Sequence, residues 1–182
     1  AVGLSVALSY TSLIGLLYPV ATRVRETQAH EALGAALAPY RTDGAIAYSD
    51  AGLLPYRADA ELIDTVGLAS LRVAKGKLTP KVLSDRKVWL VIINSPTAVA
   101  GPDGVNSPGS QTSWRYARNQ SFWTIGGPKY TGRFYLNLWV DGSLMTDALR
   151  REIVRIDAAA EKANSRSDLD VVLGSLFTFP IA

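Results

Sequence analysis

The sequence predicts an α/β domain in which helices flank a mixed β-sheet, and three observations lead to that fold class. Two short apolar runs, Ala45–Tyr48 and Glu61–Val66, have strand length and end at turn-forming residues. A longer β-branched run, Lys87–Asn94, follows after a short helical segment, which favours parallel strands. We therefore expect one domain over residues 21–182, preceded by an apolar, membrane-proximal helix over residues 1–20.

The composition excludes several kinds of site. Of the 182 residues, 48% are hydrophobic and 19% charged, so the chain can bury a substantial core. The net charge is only +3 and the basic residues are scattered, which argues against nucleic-acid binding. The chain has no cysteine and one histidine, and this excludes disulfides, thiolate chemistry and a site with several histidine ligands. We expect no cofactor and no metal ion.

The first 20 residues carry no charge, and this is about the length of a membrane-spanning helix. Tyr18-Pro19, followed by Arg23 and Arg25, is typical of the end of such a helix at the membrane surface. Several Ser and Thr residues dilute the hydrophobicity, so a buried core helix and a signal-peptide remnant remain alternatives. We expect residues 1–20 to be a membrane helix or its remnant, in a fragment cut from a larger protein.

The segment Thr22–Ala38 predicts a second helix, which would connect the membrane to the first strand. Leu33, Ala36 and Leu37 share one face at i, i+3 and i+4 spacing, and Pro39 ends the segment. The only histidine, His30, lies in the polar part of this helix, so we expect it to be solvated.

Two carboxylates follow predicted strands. Asp50 comes after Ala45–Tyr48 and Asp64 lies near the end of Glu61–Val66, each close to a glycine. Ligands in open α/β sheets bind at the carboxyl ends of strands, where such groups could hold sugar hydroxyls or act as acid and base. An Asp near a Gly is also a common turn or cap, and we favour that structural role because no partner base is visible. Between the two carboxylates, Pro55 is expected to keep Leu54 out of a helix.

The middle of the chain predicts a buried strand followed by a long loop. Leu71–Ala74 predicts an edge strand, and Thr79-Pro80 can open a short helix with Thr79 as its cap. Lys87–Asn94 is predicted to be a central strand buried on both faces. Residues 95–121 are rich in Pro, Gly and Ser, and we interpret them as a long loop, functional or mobile.

Aromatic and basic side chains alternate from residue 114 to residue 139. Candidate glycan-binding aromatics in or near the loop are Trp114, Tyr116, Trp123 and Tyr130. Three interpretations remain open: core packing, a surface on which sugar rings stack, and single-stranded nucleic-acid stacking, which the small net charge disfavours. The segment Phe134–Val140 alternates as a strand does, with Phe134, Leu136, Leu138 and Val140 on one face.

The last part of the chain predicts a packing helix and a final strand. The helix is expected over Leu144–Asn164 with Ser143 as its cap and an apolar face formed by Leu149, Ile153, Ile156 and Ala160. The segment Asp168–Leu176 can add a last strand.

Residues 48–56, Y-S-D-A-G-L-L-P-Y, followed by residues 62–70, L-I-D-T-V-G-L-A-S, carry a family resemblance. They resemble the extracytoplasmic C-terminal domain of polytopic, polyprenyl-phosphate-sugar-dependent glycosyltransferases of the GT-C type. Within that class the segment is most similar to terminal arabinofuranosyltransferases of the mycobacterial cell-wall type. The resemblance covers residues 40–75 well and residues 89–96 and 130–140 more loosely.

The resemblance implies an accessory domain on the extracytoplasmic side of the cell membrane. The catalytic Asp and the polyprenyl-phosphate sugar donor would belong to the membrane part of the enzyme, outside this chain. The domain would bind or orient the cell-wall polysaccharide acceptor, with contacts from Asp50, Tyr56, Asp64, Trp114, Tyr116, Trp123 and Tyr130. Two alternatives are a stand-alone carbohydrate-binding or scaffold protein of the cell envelope, and a hydrolase that uses Asp50 and Asp64.

Overall fold

A computed structural model describes residues 2–40, 44–50, 52–67, 73, 75, 78–95, 107–120, 122–125, 135–166 and 169–172. Its centre is a sheet of five strands: β1 (Ala45–Tyr48), β2 (Glu61–Asp64), β3 (Leu90–Ser95), β4 (Phe122–Ile125) and β5 (Tyr135–Asp141). The strand order is β2-β1-β3-β5-β4. Strand β1 is parallel to β2 and β3, whereas β5 is antiparallel to β3 and β4. The predicted mixed sheet with flanking helices is therefore confirmed.

Helices cover both faces of this sheet. They are α1 (Val2–Leu37), α2 (Leu53–Arg57), α3 (Pro80–Asp85), α4 (Pro108–Arg118) and α5 (Asp147–Asn164), with a 3-10 turn at Ala38–Tyr40. A first core cluster joins α1, α2 and α5 to one face of the sheet, and a second joins α3 and α4 to the other. Alternate residues of the central strand β3 enter the two clusters, Leu90 and Ile92 the first, Val91 and Ile93 the second. The prediction that this strand is buried on both faces is confirmed.

Helix α1 runs without interruption through Pro19, so the two N-terminal helices that the sequence predicted form one element. A proline inside a helix removes one backbone hydrogen bond but does not always end it, because packing can offset the loss. Within the part of the chain that the structure describes, no helix is both long enough and apolar enough to cross a membrane.

The C-terminal half of α1 packs closely against α2 and α5. A Cβ atom added at Gly34 would lie 2.7 Å from the carbonyl oxygen of Leu54, so only glycine permits this approach of α1 to α2. At the other contact, the guanidinium of Arg25 donates to the carbonyl oxygens of Ala163 and Arg166 at the end of α5. These contacts fix α1 over the sheet.

Three helix boundaries differ from the sequence predictions. Pro55 lies inside α2, because in the first turn of a helix a missing N–H costs no hydrogen bond. The predicted loop 95–121 contains helix α4, which begins at a Ser107 cap whose hydroxyl accepts from the Ser110 amide. Helix α5 begins after Thr146, since Ser143 instead donates to Asp141 in the turn that follows β5.

Of the remaining sequence predictions, some are confirmed and others are wrong. Thr79 caps α3 as predicted, and its hydroxyl accepts from the Val82 amide. Val73 is helical where an edge strand was predicted, and residues 169–172 are helical where a last strand was predicted. Short apolar runs do not distinguish a strand from a buried helical turn, which is why both predictions failed. The strand predicted over 134–140 is confirmed as β5, and its side chains are buried on both faces.

Candidate functional site at the carboxyl ends of β1 and β3

The strand order changes direction at β1, which makes β1 the topological switch point of the sheet. The connection from β1 to β2 passes through α2 in the first core cluster, and the connection from β2 to β3 passes through α3 in the second. Strands β2 and β3 therefore lie on opposite sides of β1. In open α/β sheets, the crevice outside the carboxyl ends of strands at such a switch point is where ligands bind. Here it lies beyond Tyr48 and Asn94.

A buried histidine lies against this edge. The His30 side chain is only 5% exposed, and its Nε2 lies 3.0 Å from the Tyr48 hydroxyl. The two rings meet edge to face with their centroids 6.0 Å apart. The Tyr48 hydroxyl in turn donates to Asn94 Oδ1 at 3.2 Å. A hydroxyl has one hydrogen, and because Tyr48 donates it to Asn94, its oxygen is left to accept from His30 Nε2.

Two carboxylates lie close to this ring. Asp50 Oδ2 lies 3.8 Å from His30 Nδ1, while Asp50 Oδ1 accepts from the Gly52 amide at 2.9 Å. Glu26 lies one helical turn before His30 on the same face of α1. One ligand atom from each of Glu26, His30 and Asp50 falls within 4.8 Å of the others. We call Glu26, His30, Tyr48, Asp50 and Asn94 the His30 cluster.

Burial lowers the pKa of His30, and the charges of Asp50 and Glu26 oppose that change without reversing it. The imidazole is therefore neutral at pH 7. A neutral imidazole beside carboxylates can accept a proton from a hydroxyl, accept a hydrogen bond from a ligand, or coordinate a metal ion. The prediction that His30 is solvated was wrong.

The two predicted carboxylates both lie at carboxyl ends of parallel strands, but they differ in access. Asp64 is buried, and its Oδ1 accepts from the amides of Val66 and Gly67 at 2.9 Å. This confirms the favoured turn-forming role for Asp64. Asp50 bonds the Gly52 amide in the same way, yet its side chain is 37% exposed and faces His30.

The predicted aromatic residues do not form one surface. Tyr56 on α2 is 79% exposed, just after the Asp50 turn. Trp114 carries the Arg118 guanidinium 4.9 Å from its ring centroid on α4. Tyr116 is buried against Phe122, so the core interpretation is confirmed for this residue, and burial raises the pKa of its hydroxyl. Trp123 is 59% exposed on β4.

Trp123 and Tyr116 lie on opposite faces of the sheet. Trp123 is opposite Val140, which belongs to the first core cluster, whereas Tyr116 belongs to the second. Tyr130, the remaining aromatic residue predicted to bind glycan, lies outside the described residues. Of the predicted site residues, the structure thus brings Asp50 and the start of α2 to the crevice and leaves Trp114, Tyr116 and Trp123 elsewhere.

Sequence reasoning missed His30, Glu26 and Asn94. A signal for His30 was present, because it stands three residues before Leu33 and seven before Leu37, and so shares their buried face. The spacing of Glu26 and His30, four residues apart on one helix, was a second signal.

One family model matches residues 19–139 of this chain. The chain belongs to the family described as domain of unknown function DUF8728. No curated protein and no solved structure matches it. The DUF8728 region begins inside α1 and ends inside β5, so it contains every residue of the His30 cluster, whereas α5 follows it.

Proposed function

We propose that this DUF8728 domain binds a polysaccharide acceptor as the extracytoplasmic C-terminal domain of a membrane glycosyltransferase. The enzyme would transfer a sugar, arabinofuranose by resemblance, from a polyprenyl-phosphate donor to a cell-wall polysaccharide. The donor and the catalytic Asp belong to the membrane part in this proposal. Its support from the sequence is the resemblance of residues 48–56 and 62–70 to that class of domain.

The observation that carries the proposal is the position of Asp50 and Tyr56 on either side of the start of α2, at the switch point of the sheet. Sugar recognition combines a carboxylate, which accepts hydrogen bonds from two hydroxyls, with an aromatic face that covers the apolar side of the ring. Asp50 and Tyr56 are both accessible to a ligand. The Tyr56 ring is 79% exposed, so it is not part of the packed core.

The neutral imidazole of His30 adds a further polar group to the same crevice. With Nε2 bonded to Tyr48, its Nδ1 is directed toward the side from which Asp50 approaches. A small net charge of +3 suits a neutral ligand near an anionic membrane surface.

The same geometry would serve a stand-alone carbohydrate-binding or scaffold protein of the cell envelope, because binding at Asp50 and Tyr56 needs no membrane part. It does not favour a hydrolase that uses Asp50 and Asp64. A hydrolase requires both carboxylates to reach the substrate, and Asp64 is buried and committed to two backbone amides.

Titration of the domain with arabinan, galactan and mannan fragments tests acceptor binding. We expect saturable amide chemical-shift changes at residues 52–57, and loss of binding in Tyr56→Ala. Trp123→Ala is the matched control, since it removes an exposed aromatic ring from strand β4 rather than from α2. Shifts confined to Trp114 or Trp123 would place the glycan site at those residues instead. The absence of a saturable shift with every glycan would overturn the proposal of acceptor binding.

The transferase part of the proposal requires the full-length protein in membranes. Vesicles that contain it should transfer arabinofuranose from a polyprenyl-phosphate donor to an arabinan acceptor. Tyr56→Ala should raise KM for the acceptor and leave the donor KM unchanged. A protein that binds glycan but supports no transfer would favour the stand-alone alternative.

A further inference from the structure

We propose that Glu26, His30 and Asp50 form a binding site for a divalent transition-metal ion such as Zn²⁺ or Mn²⁺. One ligand atom from each residue lies within 4.8 Å of the others, and the three side chains come from two elements, α1 and the turn after β1. This inference does not rest on the proposed glycan binding, because it depends only on the geometry of the three side chains.

The orientation of the His30 ring supports a metal site. Histidines that bind metals through one nitrogen almost always donate a hydrogen bond from the other, which fixes the tautomer and the ring plane. His30 has this arrangement, since Nε2 donates to the Tyr48 hydroxyl and that hydroxyl donates to Asn94. Nδ1 then lies on the side of the ring that faces Asp50, with Asp50 Oδ2 3.8 Å away.

The distances require only small side-chain rotations. Metal–nitrogen and metal–oxygen bonds of about 2.0–2.2 Å place tetrahedral ligand atoms about 3.3–3.6 Å apart. The 3.8 Å between His30 Nδ1 and Asp50 Oδ2 is close to that separation. Glu26 and Asp50 are both partly exposed, so their carboxylates can close on an ion while the buried ring of His30 stays fixed.

The donor set selects the class of metal. One imidazole nitrogen and two carboxylates suit Zn²⁺, Mn²⁺ and related ions, whereas Mg²⁺ and Ca²⁺ prefer oxygen alone. Three protein ligands leave at least one coordination position for water or for a ligand oxygen. The partly exposed Asp50 lies on the open side of the site, next to α2.

Arg23 competes with the ion for Glu26. Its guanidinium donates to Glu26 Oε2 at 3.1 Å, although the Arg23 side chain is largely exposed. Such exposed pairs contribute little energy, so the ion can displace Arg23 or bind the other oxygen. Arg23→Gln should therefore tighten metal binding, which is a result that an unrelated surface site would not give.

The test uses the protein without a histidine tag, because its single histidine then gives the only imidazole signals. Zn²⁺ and Mn²⁺ are titrated by calorimetry, and ¹⁵N spectra of the imidazole follow the Zn²⁺ titration. We expect saturable one-to-one binding and a ¹⁵N shift at Nδ1, with Nε2 still protonated. Mg²⁺ should bind much more weakly.

Asp50→Asn and Glu26→Gln remove one ligand each and keep the shape of the side chain. After Asp50→Asn the side-chain amide oxygen can still accept from the Gly52 amide, so the turn should survive. We expect each change to weaken Zn²⁺ binding at least tenfold, since even outer partners of metal ligands contribute about 10–100-fold. Asp85→Asn is the charge-matched control, because Asp85 pairs with Lys81 on α3. No saturable binding, or equal binding in all variants, overturns the proposal.

Discussion

The Tyr48 hydroxyl lies 3.0 Å from His30 Nε2, and this contact joins the buried face of α1 to the end of β1. Both side chains are buried, and the Tyr48 hydroxyl donates a hydrogen bond to Asn94 at the end of β3. One hydrogen-bond chain thus connects a helix with two parallel strands at the edge where the candidate site lies. Buried chains of this kind are stabilising only while every member has a partner.

Tyr48→Phe should destabilise the domain by about 1–3 kcal/mol, because it leaves the His30 Nε2–H and the Asn94 carbonyl without their shared partner. Urea unfolding followed by tryptophan fluorescence measures the change. Tyr56→Phe removes the same hydroxyl from an exposed ring, and its effect should stay within about 0.5 kcal/mol. Equal effects of the two substitutions would contradict the buried hydrogen bond.

Stability should fall as the pH is lowered below 6.5 in the presence of EDTA. Burial lowers the pKa of folded His30, so the unfolded chain takes up its proton first, and that uptake favours unfolding. The contribution of neutral His30 to the free energy of unfolding is fully present above pH 6.5. It is lost as the pH falls from 6.5 to the lowered pKa of folded His30, and it does not change further below that pKa. Urea midpoints between pH 8 and pH 5 measure this loss.

His30→Gln is the control for this pH dependence, since the chain has no other histidine. Its urea midpoint should change less between pH 8 and pH 6 than that of the natural protein. Asp50 and Glu26 are the charged groups that act on the ring, and both are present in the natural protein and in the variant. A natural protein as flat as the variant from pH 8 to pH 6 would show that His30 is not buried in solution.

Gly34→Ala should destabilise the domain by about 1–3 kcal/mol, because the added Cβ would lie 2.7 Å from the Leu54 carbonyl oxygen and force α1 away from α2. Gly15→Ala in the same helix has no atom within 4 Å of its Cβ, and helix propensity should make it neutral or stabilising by up to about 1 kcal/mol. Thermal unfolding of the pair measures the difference, and equal shifts would exclude the close approach.

Ile153→Ala should cost about 2–5 kcal/mol, because Ile153 on α5 is fully buried in the first core cluster. The result would establish that α5, which follows the DUF8728 match at residues 19–139, is part of the folding unit. Val154→Ala on the exposed side of the same helix should change stability by about 0.5 kcal/mol or less. Denaturant unfolding of both variants decides the matter, and a neutral Ile153→Ala would exclude α5 from the core.

Four of the five described strands could be predicted, because each is a short apolar run whose periodicity survives in any context, whereas β4 was not predicted. The runs at Ala45–Tyr48 and Lys87–Asn94 gave β1 and β3 within a few residues. Helix α4 was missed because Pro108 and Gly109 indicate a loop, although Pro at the first helical position after a serine cap also begins a helix. Local composition did not distinguish these two cases.

The candidate site was predicted only in part, and for a different reason. Asp50 was found because it follows a strand, which is a local property of the sequence. His30 was assigned to solvent because its neighbours in sequence are polar, although its spacing to Leu33 and Leu37 indicated a buried face. Its hydrogen bond with Tyr48, and the bond from Tyr48 to Asn94, involve residues 18 and 64 positions further along the chain. A contact between distant segments has no signal in a single sequence.

Helix α1 extends as one rod from Val2 to Leu37, about 54 Å at 1.5 Å per residue. Glu26 and His30 stand on this rod, while Asp50 stands on the sheet that it crosses. Pro19, eleven residues before His30, removes one backbone hydrogen bond and is where this helix can bend. The contacts of Arg25 and Gly34 with α5 and α2 both lie after Pro19. A bend at Pro19 would therefore redirect the first half of the helix and leave the geometry of the His30 cluster unchanged.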